Sequence, residues 1–364
     1  MKILHIVRQF YPAKGGLEDH VLNLATHQLQ SSNEITIFTL DKNFQSNQKL
    51  KKIDRHNGIN IHRFSFIGFR RYPICFLPFK ELIKFDVIHI HAVDFFLDYI
   101  SLLKRLGILK QKIFITSHGL FFHTRFLYLL KKLYFYTFTR ISLKKIDQII
   151  SVSNQDQILL KKINVKSILI PNGVVFQKFG FIKQIKNECN NYLFIGRPAA
   201  QKNLSKLVEF FCRLKIDEIS LTIIVPHINP LVNELSKLIE KYDCKGINIH
   251  VNISDNQILD IIKNSKYVIS ASKYEGFGIA IIELMSYGLI PILNAEVPSF
   301  KEFATQSKSG FIFNDEFKDF QKTIISSLNS KNLNEMSVNS INYSQSYSWK
   351  AISSQILSIY KPIA

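Results

Sequence analysis

At 364 residues the chain is too long for one typical domain, so two are expected. Hydrophobic residues at 46% and charged residues at 21% supply sizeable cores and argue against disorder. The net charge of +19 is uneven, with 27 Lys+Arg against 11 Asp+Glu in residues 1–180 and 20 against 17 thereafter, so the first half should meet an anionic partner, either anionic lipid or nucleic acid.

The opening MKILHIVRQFYP lacks a small-residue cleavage site and reads as a buried strand at 2–7 rather than a signal peptide. A loop at 9–16 and a helix at 17–30 follow. Further strands are expected at 35–40, 59–64, 87–91, 113–117, 148–153 and 167–170, with helices near 95–106, 125–143 and 155–163. Pro171-Asn172-Gly173 marks a turn, closing a first domain at 1–173, and 174–190 reads as a linker. The alternation resumes with strands at 192–195, 221–225, 247–251, 267–272 and 290–293. Helices are expected at 204–214, 230–242, 256–264 and 278–286, then at 317–328 and 349–360. Apolar strands alternating with helices imply α/β architecture: two doubly wound, Rossmann-like domains with parallel sheets, facing a cleft. No run of about 18 uncharged apolar residues suggests a spanning helix. Cys75, Cys189, Cys212 and Cys244 form no C-x-x-C pair and fit a reducing cytoplasm.

The chemistry-bearing residues sit in loops after strands. Within 270–290, SASKYEGFGIAIIELMSYGLI, Glu275 and Glu283 bracket a turn entered through Gly276 and Gly278. Free N–H groups at a helix start suit phosphate, and carboxylates beside them suit the hydroxyls of a sugar or ribose. An ordinary strand–turn–helix is the plainer alternative. Gly15-Gly16 either admits a ligand close to the backbone or makes a tight turn; it is not G-x-G-x-x-G, which argues against a dinucleotide enzyme. His118 could donate a hydrogen bond to a sugar hydroxyl or steady developing charge. With His123 nearby but no D-x-D, cysteine or acidic set, metal binding is not expected. His89 and His91 in VIHIH read as hydrogen-bonded core or rim histidines. Gly196-Arg197 and Lys202 either form a diphosphate site or carry solvated charge. The aromatic, basic segments 62–84 (Arg63, Phe66, Phe69, Arg70, Arg71, Phe76) and 121–145 suit a membrane interface, or a core face with solvated lysines, better than nucleic acid.

Together, YPAKGG (11–16), SHG (117–119), VSN (152–154), IPNGV (170–174), GRPAAQK (196–202) and EGFGIAIIE (275–283) resemble the family-4 retaining glycosyltransferases of the GT-B fold, in order and along nearly the whole chain. The ending YSWKAISSQILSIY resembles the family's last helix, which implies that 346–364 crosses back to the first domain after a nucleotide-sugar domain at 191–345. The resemblance implies that Arg197 and Lys202 hold the donor diphosphate and that Glu275 binds donor-sugar hydroxyls. It implies that Phe277, Gly278 and Ile279 offer backbone N–H groups and that Glu283 takes the ribose. Gly15-Gly16 would approach the diphosphate, and His118 the sugar at the reaction centre. No metal or other cofactor is implied. Asn203 departs from the pattern, standing where many members have glycine. HGLFFHT before a basic aromatic helix resembles the bacterial exopolysaccharide mannosyltransferases. That implies GDP-mannose as donor, a polyprenyl-diphosphate-linked oligosaccharide as acceptor, and peripheral attachment to the cytoplasmic face of an anionic membrane. The same fold with a UDP-sugar donor is the alternative.

Overall fold

The computed structural model describes residues 1–13, 15–70, 72–120, 128–182, 190–275 and 277–361. It divides into two compact units, Met1–Gly173 with Trp349–Ala364, and Val174–Ser348. Arg71, His123, Cys189 and Gly276, named above, lie outside the described residues.

In the first unit the strands are β1 (Lys2–Ile6), β2 (Glu34–Leu40), β3 (Ile53–His56) and β4 (Ile59–Phe64), then a separate hairpin of β5 (Ile67–Phe69) and β6 (Tyr72–Ile74). After these come β7 (Val87–His91), β8 (Lys112–Thr116), β9 (Gln148–Ser151) and β10 (Ile168–Leu169). The main sheet runs β10-β9-β8-β7-β1-β2-β4-β3, parallel except for the edge pair β3–β4. Residues on both faces of β1 and β7 are buried, which is why these strands read as continuous apolar runs. The helices are α1 (Gly16–Gln30), α2 (Phe79–Leu82), α3 (Phe95–Arg105), α4 (Tyr128–Tyr134), α5 (Arg140–Leu143) and α6 (Asn154–Lys161). Asp94 caps α3 by accepting from Phe96 N–H at 3.0 Å, and Ser153 caps α6. The single helix expected over 125–143 is interrupted, because Phe135–Thr139 is a π-turn between α4 and α5.

In the second unit β11 (Asn190–Ile195), β12 (Ile219–Val225), β13 (Ile247–Val251), β14 (Tyr267–Ser270), β15 (Ile290–Asn294) and β16 (Phe311–Phe313) form a parallel sheet in the order β13-β12-β11-β14-β15-β16. Its helices are α7 (Leu204–Leu214), α8 (Pro230–Lys241), α9 (Asp255–Lys263), α10 (Ile279–Met285), α11 (Pro298–Gln306), α12 (Phe317–Leu328) and α13 (Leu333–Gln345). The last helix, α14 (Trp349–Tyr360), belongs to the first unit, where Trp349, Ile352, Ile356 and Tyr360 join the core that includes Val21 and Leu24 of α1.

Each sheet winds outward both ways from its first strand. The topological switch lies between β1 and β7 in one unit and between β11 and β14 in the other, where α/β sheets place ligands. The stretch expected as a linker is not a loose spacer in its described part. Val174 and Ile182 are buried in the second unit's core, and Gln177 and Phe179 donate their N–H groups to Ser286 Oγ at 3.0 Å and Tyr287 OH at 2.6 Å.

Candidate active site

In the second unit, β11 ends at Ile195 and delivers Gly196 and Arg197, and β14 delivers the loop carrying Glu275. These adjacent strand ends flank the switch point. A 3-10 turn, Ala200–Lys202, aims Lys202 across it, where its ammonium forms an ion pair with Glu275 Oε1. Both side chains are largely buried, and the same carboxylate oxygen accepts from Ser272 Oγ at 3.0 Å. The two loops are also tied by Lys273 N–H to Gln201 O at 2.9 Å. Asp315 braces them further: it meets Lys206 at 2.8 Å and Lys273 at 2.9 Å and accepts from Asn203 Nδ2 at 3.3 Å. Burial pushes the Asp315 carboxyl up, but its two lysines outweigh this and hold it below its usual 3.8. Arg197 is exposed and, among the described residues, has no carboxylate partner.

Asn203 explains its own departure from the family pattern. Its φ is 54°, in the left-handed region where glycine is favoured and asparagine is the next most tolerant residue. At Gly278, φ is 98° and an added Cβ would lie 2.9 Å from Phe300, so glycine is required there. Gly278 opens α10. Among the described residues, the N–H groups of Phe277, Gly278 and Ile279 have no recorded acceptor. The Phe277 ring itself is a core group, packed on Phe303 and Tyr347. Glu283, in the second turn of α10, is buried and lies 3.3 Å from Lys178. Lys178 sits in the stretch read as linker, so nothing local pointed to this ion pair.

In the first unit, Gly15 and Gly16 lead from β1 into α1. A Cβ on Gly15 would collide with the Glu18 carboxylate, whereas a Cβ on Gly16 would meet nothing within 4 Å. Among the described residues, nothing in this unit sets a steric demand for glycine at 16. His118 follows β8 with φ 50°. The turn is pinned by buried Asp156, which accepts from Ser117 Oγ and from Gly119 N–H at 3.0 Å. His118 Nε2 lies 3.1 Å from His91 Nδ1, and its ring meets that of His20 edge-on at 4.4 Å. His89 and His91 are hydrogen-bonded core residues, as expected. The partners His5, His20, Gln28 and Tyr360 were missed, since nothing local in the sequence joins them. Burial lowers the pKa of all five histidines; His5 falls to about 4 and His20 to about 3.

The expectation that Arg63 serves an exposed basic surface is corrected. It is buried, pairs with Asp54 at 3.0 Å and donates to Tyr11 O and Lys51 O. Phe69, Phe76, Leu129, Leu133 and Phe138 are instead strongly exposed. Among the described residues, no helix is long and apolar enough to cross a membrane.

Residues 14–178 match the model described as Glycosyltransferase Family 4, and residues 175–346 match that of Glycosyl transferases group 1. A GDP-mannose:cellobiosyl-diphosphopolyprenol alpha-mannosyltransferase of Xanthomonas campestris is 33% identical over 86% of this chain and 83% of its own. The chain belongs to glycosyltransferase family 4. A similarly named protein of Komagataeibacter xylinus is 31% identical over 87% of this glycosyltransferase and 81% of its own length. Among solved structures, Anabaena Alr3699/HepE in complex with UDP has a TM-score of 0.74 at 13% identity, covering 99% of both chains. A glycosyltransferase from Rickettsia africae has a TM-score of 0.73 at 18% identity, covering 99% of this chain and 97% of its own. The fold of this glycosyltransferase is GT-B.

Proposed function

We propose that this glycosyltransferase moves mannose from GDP-mannose, with retention, to a polyprenyl-diphosphate-linked oligosaccharide during surface polysaccharide assembly. The observation that carries this reading is the 33% identity, over 86% of the chain, to a relative whose name states that donor and a cellobiosyl-diphosphopolyprenol acceptor. The second unit supplies matching chemistry. Arg197 presents a planar fork and Lys202 a point charge to the donor diphosphate. Lys202 is paired with Glu275. A diphosphate competes for that ammonium, which releases the Glu275 carboxylate to accept from sugar hydroxyls. The N–H groups of Phe277, Gly278 and Ile279 donate to phosphate or sugar oxygens, and Glu283 takes the ribose hydroxyls. Gly16 gives the diphosphate a close approach to the backbone, and His118 meets the sugar at the reaction centre.

As the glycosidic bond to the nucleotide breaks, negative charge grows on the diphosphate, and cations placed beforehand stabilise it without a metal ion. The departing phosphate oxygen takes the proton of the acceptor hydroxyl on the same face, which gives retention. A lipid-linked acceptor calls for a membrane surface, and the exposed apolar residues of α4 lie beside Lys131 and Lys132 in sequence. On this reading the enzyme works peripherally on the cytoplasmic face of an anionic membrane, with no role for nucleic acid. The test is a donor panel of GDP-mannose, UDP-glucose, UDP-galactose and UDP-N-acetylglucosamine with the purified protein and a polyprenyl-diphosphate-linked oligosaccharide. Transfer from GDP-mannose is expected to dominate; preference for any UDP-sugar rejects the donor.

A further inference from the structure

Inside the first unit runs a chain of hydrogen bonds for which sugar transfer has so far given no use. Gln28 Oε1 lies 2.7 Å from His5 Nε2, His5 Nδ1 lies 2.9 Å from His91 Nε2, and His91 Nδ1 lies 3.1 Å from His118 Nε2. On its other side, Gln28 Nε2 donates to Tyr360 OH at 3.5 Å; that hydroxyl lies 2.5 Å from His89 Nδ1, and His89 Nε2 lies 2.8 Å from Thr116 Oγ1. Gln28, His5, His89 and His91 are wholly buried, so water cannot replace these partners.

The chain has a direction. A carbonyl oxygen only accepts, so His5 carries a proton on Nε2. Burial keeps these imidazoles neutral at pH 7, so each ring has one proton to place. His5 Nδ1 is then a bare lone pair, and the nitrogen facing it, His91 Nε2, must bear the proton. The same step from His91 to His118 puts the His118 proton on Nε2.

We propose that this ordered chain, anchored at the Gln28 amide, holds the His118 proton on Nε2 and leaves its Nδ1 lone pair as the atom offered to substrate. His118 therefore accepts a hydrogen bond from a sugar hydroxyl, the reverse of the donor role expected from sequence. The link to substrate rests on the sugar-transfer reading above; the ordering of the protons does not. Gln28, His5 and His91 are positioning residues, acting only through His118. Nitrogens of His5, His89 and His91, and of His20, His91 and His118, also lie close enough to share a metal ion. However, both ring nitrogens of His5 and of His91 are already engaged with protein partners, and a metal would have to break that chain.

The test is 15N spectroscopy of the full chain labelled at histidine, at pH 7, with signals assigned by single substitutions. Neutral rings protonated at Nε2 are expected for His5, His91 and His118. Gln28→Met removes the anchor without adding charge. It is expected to mix the His118 tautomers and to lower kcat/KM about tenfold, with the circular dichroism unchanged. An imidazolium or an Nδ1–H tautomer at His118 in the unsubstituted protein overturns the proposal. So does a stoichiometric transition metal that the His5→Gln variant loses. Failure to use GDP-mannose with the Nε2–H pattern intact would refute the donor assignment and leave the proton ordering standing.

Discussion

Lys202 and Glu275, 73 positions apart, hold each other in a largely buried ion pair, and removing either strands the other. An unpaired buried charge costs several kcal/mol and shifts its protonation rather than persist. Lys202→Ala and Glu275→Ala should therefore each reduce kcat/KM by about 100-fold or more, since both the pairing and the charge stabilisation are lost. Steady-state transfer assays check this, with thermal melting to show that the fold survives; turnover like that of the unsubstituted enzyme in either variant would reject the site. The buried histidines make a second prediction. His5 sits at about 4 in the fold against 6.5 when unfolded, so the unfolded chain binds the extra proton as pH falls between those values. The stability this neutral burial contributes is full above 6.5 and is lost on acidification, by about 3 kcal/mol for His5 alone. His20, His89, His91 and His118 act in the same direction. Calorimetry should show the melting temperature dropping steeply from pH 6.5 to 5; a flat profile would mean that these rings are not buried neutral.

Among the described α-helices, α4 stands apart because none of its residues is buried. Leu129, Leu130 and Leu133 are more than half exposed, and a π-turn carrying exposed Phe138 follows directly. An apolar face of this kind is costly in water unless something covers it. Cosedimentation with phosphatidylglycerol vesicles but not phosphatidylcholine vesicles is expected, weakened by salt, and reduced by Leu129→Ser with Leu133→Ser while soluble donor hydrolysis persists. Equal binding to both vesicles would assign the basic residues another role. The elements also show where sequence reading works and where it falls short. The helices expected at 317–328 and 349–360 match α12 and α14 end to end, because each carries a sustained apolar stripe. By contrast α13, LNEMSVNSINYSQ, is polar enough that its stripe is faint, and it was missed. The strands β3, β5, β6 and β16, of three or four residues each, are too short to show a period.

For the molecule as a whole, the chain completes its first unit only with its last helix. Trp349 packs edge-on to His20 at 4.9 Å, and a Cβ on Gly173 would lie 2.4 Å from its ring. Trp349→Ala should cost about 3–5 kcal/mol through the cavity it opens, read as a lower urea midpoint. A change below 1 kcal/mol would show that α14 is an appendage rather than part of that core. Strand–helix alternation, motif loops at strand ends and family membership were all legible from residues in order, because periodicity and turn chemistry are local. The strand-to-helix loop bearing Glu275, with Gly278 at the helix start, was legible for the same reason. What pairs with what was decided only by the tertiary structure. Lys178 reaches Glu283, buried Arg63 pairs with the partly exposed Asp54, and Tyr360 and Gln28 reach the histidines of β1 and β7. Those partners depend on strand order, which places β1 between β2 and β7 and sets His5 opposite His89. No pattern within one segment records which distant strand will lie beside it.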